Sequence, residues 1–203
     1  MKTQPIRRER ARLPAAERRR QIIEVTTGLI AERGFWGLSM QDVADGCGLT
    51  VPGLLHHVGS KDNLLIAVLE HRDETDAATL AAELEVRVDQ LWAEGAGITL
   101  RQVCAALVRR NAGQPEIVRL FAVLEAESLA PGHPAHRYFR ERQRNTREML
   151  ASLAPGDDAA RFELAGQVIA MMDGLQIQWL RDPASTDLVA AWERAATRLF
   201  DAL

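Results

Sequence analysis

The sequence predicts an all-α protein of about nine or ten helices. Three observations carry that prediction. The 203-residue chain is rich in Ala, Leu, Arg and Glu and poor in runs of β-branched residues, a composition that favours helices. Apolar residues recur at the i, i+3, i+4 spacing of an amphipathic helix in most segments. Capping residues and glycines stand where such segments begin and end.

The first predicted helix covers about residues 14–33. Its buried face is supplied by Ile22, Ile23, Leu29 and Ile30. Gly34 follows at the position where helices commonly end in a left-handed conformation. Helical structure is therefore expected to stop just before Phe35.

Two short helices are predicted next. Ser39 and Asp42 have the spacing of a capping box, with Asp in place of the usual Glu, so a helix is expected to start at residue 40. Gly46 and Gly48 are expected to stop it. Thr50 can cap the second short helix, which has a proline in its first turn, where the missing N–H is tolerated. Two short helices around a tight glycine turn are the layout of a helix-turn-helix.

A longer helical body follows. Ser60 is expected to cap a connecting helix that begins at Lys61, and the segment 77–94 either continues that helix or forms a separate one. The PGHP segment at 131–134 reads as a turn. The further predicted helices cover about residues 99–111 and 115–129, a long stretch ending near 153, 157–181 and 185–202. We divide the chain into a motif-bearing region, 1–61, and a helical body, 62–203.

Charge is unevenly distributed between these regions. Residues 1–61 hold 10 Lys or Arg against 6 Asp or Glu, whereas residues 62–203 hold 15 against 22, within an overall net charge of −3. A basic front and an acidic rear are typical of a DNA-binding module joined to a body that avoids DNA. Four arginines precede the first helix and could follow the phosphate backbone or enter a minor groove: Arg7, Arg8, Arg10 and Arg12.

Residues 22–65 resemble the DNA-binding domain of the TetR/AcrR family of bacterial repressors. The run GLTVPGLLHHVGSKDNLL is similar to the recognition helix of that family and to the start of its connecting helix. The resemblance implies that Thr50, His57 and Lys61 contact phosphates, and that Val51, Pro52 and Gly53 meet base edges. It also implies an N-terminal three-helix domain joined to a C-terminal ligand-binding and dimerisation domain.

Two residues depart from the family pattern. Leu55 stands where the family usually has Tyr, and Val51 stands where Lys, Gln or Arg is common. Few side chains of this helix could therefore make bidentate contacts with bases, and readout would use thymine methyls, DNA shape, or Gln41 and His56. The full set of expected DNA-contacting residues is Ser39, Gln41, Thr50, Val51, Pro52, Gly53, Leu55, His56, His57 and Lys61.

In the family, the last two helices of each subunit pair across a twofold axis, and a repressor that reads a palindrome needs that symmetry. The matching segments here carry wide apolar faces, which also suit an ordinary core. The residues expected at a homodimer interface are Val168, Leu175, Leu188, Trp192, Ala195 and Leu199.

The resemblance also implies an effector pocket inside the body, for a small molecule that the sequence does not identify. The expected lining residues, which could equally be core residues, are Trp92, Cys104, Asn111, Phe121, Glu125, Met172, Gln176 and Trp179. A buried Glu125 would need either a cationic ligand or an arginine partner. The candidate partners are Arg101, Arg109 and Arg119.

Other functions are disfavoured. There is no phosphate-binding glycine loop, nucleophile elbow or paired-carboxylate signature, so an enzyme is not expected and no cofactor is predicted. His133 and His136 lack an evident third metal ligand. No apolar stretch suits a signal peptide or a membrane span, which indicates a cytoplasmic protein without a membrane partner. The interpretation is a repressor that small molecules release from palindromic double-stranded operator DNA; the alternative is a DNA-binding scaffold without an effector.

Overall fold

In a computed structural model of the chain, residues 13–34, 36–93 and 97–201 are described. They form nine α-helices and no strand, which confirms the all-helical prediction. None of these helices is long and apolar enough to cross a membrane. The helices are α1 Ala15–Arg33, α2 Met40–Cys47, α3 Val51–Val58, α4 Lys61–Glu83, α5 Leu100–Ala112, α6 Pro115–Glu127, α7 His136–Ser152, α8 Asp158–Arg181 and α9 Leu188–Phe200.

The first four helices pack around one hydrophobic core. Helix α1 contacts α2, α3 and α4, and α2 packs against α3. The fully buried side chains at the centre come from all four helices: Ile22, Ile30, Val43, Leu54 and Leu64. The four basic residues predicted to form an N-terminal arm, Arg7, Arg8, Arg10 and Arg12, lie outside the described residues.

The segment 77–94, which was expected either to continue the connecting helix or to form a separate one, continues α4 only as far as Glu83. Helix α4 runs without a break through residue 77. Glu85 then takes a left-handed conformation with φ 56°, and the N–H of Val86 donates to the Ala81 carbonyl at 2.9 Å. The prediction of helix up to residue 94 was wrong, because the break is made by a non-glycine residue in a conformation that favours glycine.

The remaining helices form the body. Helix α5 packs against α9, and α8 packs against α6, α7 and α9. Helix α5 starts with a complete capping box between Thr99 and Gln102. Helix α9 begins at Leu188, three residues later than predicted, because Asp187 caps it, whereas the Ser185 hydroxyl donates to Asp182.

Candidate DNA interface and effector cavity

Helix α2 is fixed at both ends by residues that the sequence marked. The Ser39 hydroxyl accepts from the Asp42 N–H at 3.1 Å, and the Ser39 N–H donates to the Asp42 carboxylate at 3.2 Å, which confirms the capping box. The hydrogen bonds from the Ser39 side chain and backbone lower the pKa of Asp42. Gly48 ends the helix in a left-handed conformation with φ 66°. Both ends of α2 are therefore fixed, and the helix sets the position of the turn that leads to α3.

Gly46 has a different role from the one predicted. It lies within α2 and does not stop the helix. A Cβ atom at this position would stand 2.7 Å from Cγ1 of Val25 on α1. Glycine therefore permits α2 to approach α1 closely, a contact between distant parts of the sequence that local pattern does not reveal.

Helix α3 follows the turn and exposes one narrow face. Thr50 caps it by accepting from the Gly53 N–H at 3.2 Å. Leu54 and Val58 are buried, and Val51 is half-buried against the same core, so this valine points less outward than expected. Gly53 is also half-buried. The exposed side chains of the helix are Pro52, Leu55 and His56.

The polar residues predicted around α3 lie at its edges. Lys61 is half-buried, and its Nζ donates to the Leu38 carbonyl at 2.7 Å, which ties the start of α4 to the loop before α2. Gln41 is exposed and donates to Asp45 at 2.8 Å. The ring of His57 lies edge-on to that of His56, with centroids 5.6 Å apart, and the His57 carbonyl accepts from Arg19 at 3.3 Å.

The core of the first four helices extends into the body. Its buried residues include a set from α6 and α7, namely Ile117, Leu120, Phe121, Leu124 and Phe139. Helix α6 contacts α1 directly. The division proposed between residues 61 and 62 is therefore not a boundary between separate hydrophobic cores.

A cavity of about 400 Å³ lies in the body between α4, α5, α6, α7 and α8. That volume falls in the usual range for small-molecule sites, about 300–1,000 Å³. Its walls mix aliphatic side chains with five charged residues. Five of the eight residues predicted for an effector pocket line it: Asn111, Phe121, Glu125, Met172 and Gln176.

The other three predicted pocket residues lie elsewhere. Trp92 lines an adjacent cavity of about 670 Å³, which shares Asp76, Arg142 and other wall residues with the first. Cys104 and Trp179 pack in the hydrophobic core of the body. Burial raises the pKa of the Cys104 thiol to about 12, as expected of a core cysteine.

A chain of hydrogen bonds along the cavity wall connects α4 to α8. Arg72 donates to the side-chain oxygen of Asn111, and Asn111 Nδ2 donates to Gln176 Oε1 at 2.8 Å. Gln176 Nε2 then donates to the Met172 carbonyl at 3.1 Å. Buried amides of this kind are satisfied by one another and fix the relative positions of three helices.

Both arginines of the cavity wall are engaged. Arg72 is paired with Asp76 at 3.4 Å, and Arg142 with Asp73 at 3.1 Å. Their guanidinium carbons lie 4.8 and 4.4 Å from the centroid of the Phe121 ring. Each positive charge thus already has a carboxylate and an aromatic neighbour.

Two acidic residues of the wall have no such partner. Neither Glu125 nor Asp173 forms an ion pair with an arginine within the described parts of the chain. The three arginines considered as partners of Glu125 pair elsewhere: Arg101 with Asp201, Arg109 with Glu83 and Arg119 with Glu116. Burial, with a smaller effect from the charge of Glu125, raises the pKa of Asp173 to about 6, and the charge of Arg142 opposes this increase.

The residues predicted for a dimer interface divide into two groups. Val168, Leu188 and Trp192 are at most 2% exposed and pack inside the protomer, so their side chains have no surface to offer a second copy. Leu175, Ala195 and Leu199 are half-buried. The outer face of α8 instead presents Ala170 and Met171 to solvent, next to Gly174.

The two histidines considered as metal ligands stabilise the connection before α7. His136 Nδ1 lies 2.8 Å from the Ser128 carbonyl oxygen, and His133 Nδ1 accepts from the Ala135 N–H at 3.2 Å. Within the described residues, no group of three or more His, Cys, Asp or Glu side chains could hold a metal ion.

Comparison with known proteins identifies the family. Residues 22–68 match the model of the bacterial regulatory proteins of the TetR family. The HTH-type transcriptional regulator BetI of Rhizobium meliloti is 31% identical over 169 residues, which cover 79% of this chain and 77% of that protein. The family-model match spans the α2–turn–α3 unit. The similarity to BetI, over 79% of the chain, extends well into the body.

Solved structures share the fold. A TetR transcription regulator from Haloarcula marismortui superposes with a TM-score of 0.72 at 19% identity, covering 93% of this chain and 98% of that one. A transcriptional regulator from Saccharomonospora viridis in complex with choline gives a TM-score of 0.63 at 22% identity, covering 92% and 95%. The chain belongs to the TetR family and is a DNA-binding transcriptional regulator, not an enzyme.

Proposed function

We propose that the protein is a cytoplasmic, homodimeric repressor that a small molecule releases from palindromic operator DNA. The observation that carries this proposal is the position of Phe121. Its side chain belongs to the core of the DNA-binding helices and also lines the 400 Å³ cavity. A molecule in the cavity would therefore press on a residue that the DNA-binding helices pack against.

Helix α4 supplies a second connection. It begins at Lys61, beside the recognition helix, and carries Arg72 and Asp76 to the cavity wall. Effector binding that favours a different position of α4 would change the separation of the two recognition helices in a dimer. Such a change is a population shift between DNA-competent and DNA-incompetent states.

The DNA contacts would combine positioning and limited base readout. The hydroxyl of Thr50, the ring of His57 and the remaining protons of Lys61 would hold phosphates. Pro52, Leu55 and His56 form the exposed face that would enter the major groove, flanked by Gln41 on α2. A face with so few hydrogen-bonding groups would favour thymine methyls and DNA shape over bidentate contacts.

The outer face of α8 is the surface we assign to the second copy. Ala170 and Met171 are exposed there, and open space lies beside Gly174. Small residues permit two helices to approach closely, and Leu175 and Leu199 at the edges would gain burial. The proposed interface therefore stays on α8 and α9, the two helices expected from the sequence. It uses their outer faces in place of the buried residues that the sequence suggested.

Selection of bound fragments from genomic DNA by the purified protein tests this function. We expect an enriched palindrome whose half-sites lie about one helical turn apart, roughly 34–36 Å. Absence of enrichment at low salt, with the protein folded and dimeric, would refute operator-specific regulation. A palindrome whose binding no metabolite alters would instead favour a DNA-binding scaffold without an effector.

A further inference from the structure

The charge of the cavity wall is unbalanced. Its lining holds Arg72 and Arg142, but three acidic residues, Asp76, Glu125 and Asp173. Both arginines already have a carboxylate within 3.4 Å. The two carboxylates that form no ion pair within the described residues come from different helices, α6 and α8, and lie on the wall of one cavity.

This arrangement is costly for the empty protein. Asp173 is close enough to Glu125 for the glutamate charge to raise its pKa, and burial acts in the same direction. Both carboxylates are half-buried, and a partly desolvated charge without an ion-pair partner is unfavourable unless a counter-charge reaches it. Within the described residues, both wall arginines pair with other carboxylates, and the charge of Arg142 acts on Asp173 only from beyond ion-pair distance, so a bound cation would be stabilised here.

The rest of the wall indicates an organic group. Ten of the nineteen lining residues are apolar, among them Leu107, Val118 and Ile169. A volume of about 400 Å³ exceeds what a bare ion needs. Two guanidinium groups already occupy the surroundings of the Phe121 ring, so carboxylates rather than that ring would hold the charge.

We propose that the ligand of this cavity is a monovalent organic cation whose positive charge lies between Glu125 and Asp173. The proposal rests on the proposed function of the cavity as the effector site, and it adds the chemical class of the effector. With Arg110 and Asp73, which pair with residues of the wall, three arginines face four carboxylates, so one positive charge balances the group. The alkyl part of the ligand contacts the aliphatic residues.

Calorimetric titration of the purified protein with a charge series tests the proposal. The probes are tetramethylammonium, tetraethylammonium and benzyltrimethylammonium, each beside an uncharged alcohol and a carboxylate of similar size. We expect at least one ammonium to bind, about tenfold or more tightly than its uncharged counterpart. Equal or tighter binding of the uncharged or anionic compounds, or no binding of any ammonium at millimolar concentration, would overturn it.

Variants locate the binding site. Glu125→Gln and Asp173→Asn keep the size of each side chain and should each weaken ammonium binding by about tenfold. Glu163→Gln is the matched control, because Glu163 is exposed on α8 and does not line the cavity. Thermal melts establish that each variant is folded, and unchanged affinity in both cavity variants would place the cation elsewhere and refute the proposal.

DNA release, measured in parallel, separates this proposal from the proposed function. An ammonium that binds between the two carboxylates without weakening DNA binding would support the ligand class and refute the effector role. An uncharged or anionic compound that competes for the cavity and releases DNA would support the effector role and refute the ligand class.

Discussion

The Lys61 ammonium donates a hydrogen bond to the Leu38 carbonyl at 2.7 Å, so the residue expected to bind a phosphate also holds the recognition unit together. Leu38 lies in the loop that leads into α2, and Lys61 is the first residue of α4. An ammonium has three donors, and one bond to a carbonyl leaves the others for DNA. The Lys61 side chain is therefore expected to contribute both to folding stability and to DNA affinity.

Lys61→Ala is therefore expected to affect both properties. We expect the free energy of unfolding in urea to fall by about 1 kcal/mol. Affinity for all DNA sequences should fall alike, and the slope of log affinity against log salt should decrease by about one. His57→Ala is the comparison, since its backbone carbonyl, not its ring, bonds Arg19; it should reduce the slope with a smaller loss of stability. An unchanged urea midpoint in Lys61→Ala would contradict the structural role.

Gly46→Ala tests the close approach of α2 to α1. The added Cβ would meet Val25 Cγ1 at 2.7 Å, and β-branched valine has little rotamer freedom in a helix. Overpacking costs about 1–3 kcal/mol, against a gain of about 1 kcal/mol from the helix propensity of alanine. We expect the single variant to be destabilised in urea denaturation. In a Val25→Ala background the same substitution should become stabilising, and a single variant more stable than wild type would exclude a steric role.

Asp173 predicts a pH dependence of stability. Its pKa is about 6 in the folded protein, above the ordinary value, so the folded state binds this proton more tightly than the unfolded state. Its contribution to stability therefore increases as pH falls through about 6. The charged groups around it are Glu125 on α6, Arg142 on α7, and Arg72 and Asp76 on α4.

Asp173→Asn should accordingly raise the melting temperature of the ligand-free protein at neutral pH, with the difference from wild type shrinking as the solution is acidified. Ammonium affinity of the wild-type protein should decrease over the same pH range, because the protonated carboxyl no longer pairs with a cation. Melting curves and titrations across the range measure both effects. A variant less stable than wild type at neutral pH would show that the carboxylate has a favourable partner.

Ala170→Arg tests the surface assigned to the second copy. A long charged side chain on the exposed face of α8 should prevent close helix packing and convert the dimer to a monomer. Light scattering after gel filtration gives the mass directly. Ala78→Arg, at an exposed alanine of α4, is the control and should stay dimeric. Retention of the dimer by Ala170→Arg would move the interface to another face.

Sequence sufficed for features that depend on neighbouring residues. Ser39, Thr50 and Ser60 each accept a backbone N–H three residues later, as their positions predicted. Such caps are local, since donor and acceptor lie within one turn of helix. The end of α4 was not predicted, because Glu85, which takes a left-handed conformation just after the helix, is not a glycine.

Features that depend on distant residues were predicted only in part. Asn111 and Gln176 are 65 residues apart, and their hydrogen bond follows from how α5 and α8 pack. Cys104 belongs to the same helix as Asn111 but faces the core, and periodicity alone does not say which face borders a cavity. Whether Glu125 forms an ion pair also depends on distant packing, because its three candidate partners pair with other carboxylates.

The extension of the first core into α6 and α7 restricts how such a regulator can be rebuilt. A chimera that joins residues 1–61 to an unrelated sensor body would leave one wall of that core exposed to water, because Ile117, Leu120 and Phe139 would no longer cover it. A chimera that keeps the DNA specificity must therefore include the apolar face of α6 together with the recognition helix. The design of a new sensor body is therefore restricted less by the shape of its cavity than by the need to keep the face of α6 that packs against the DNA-binding helices.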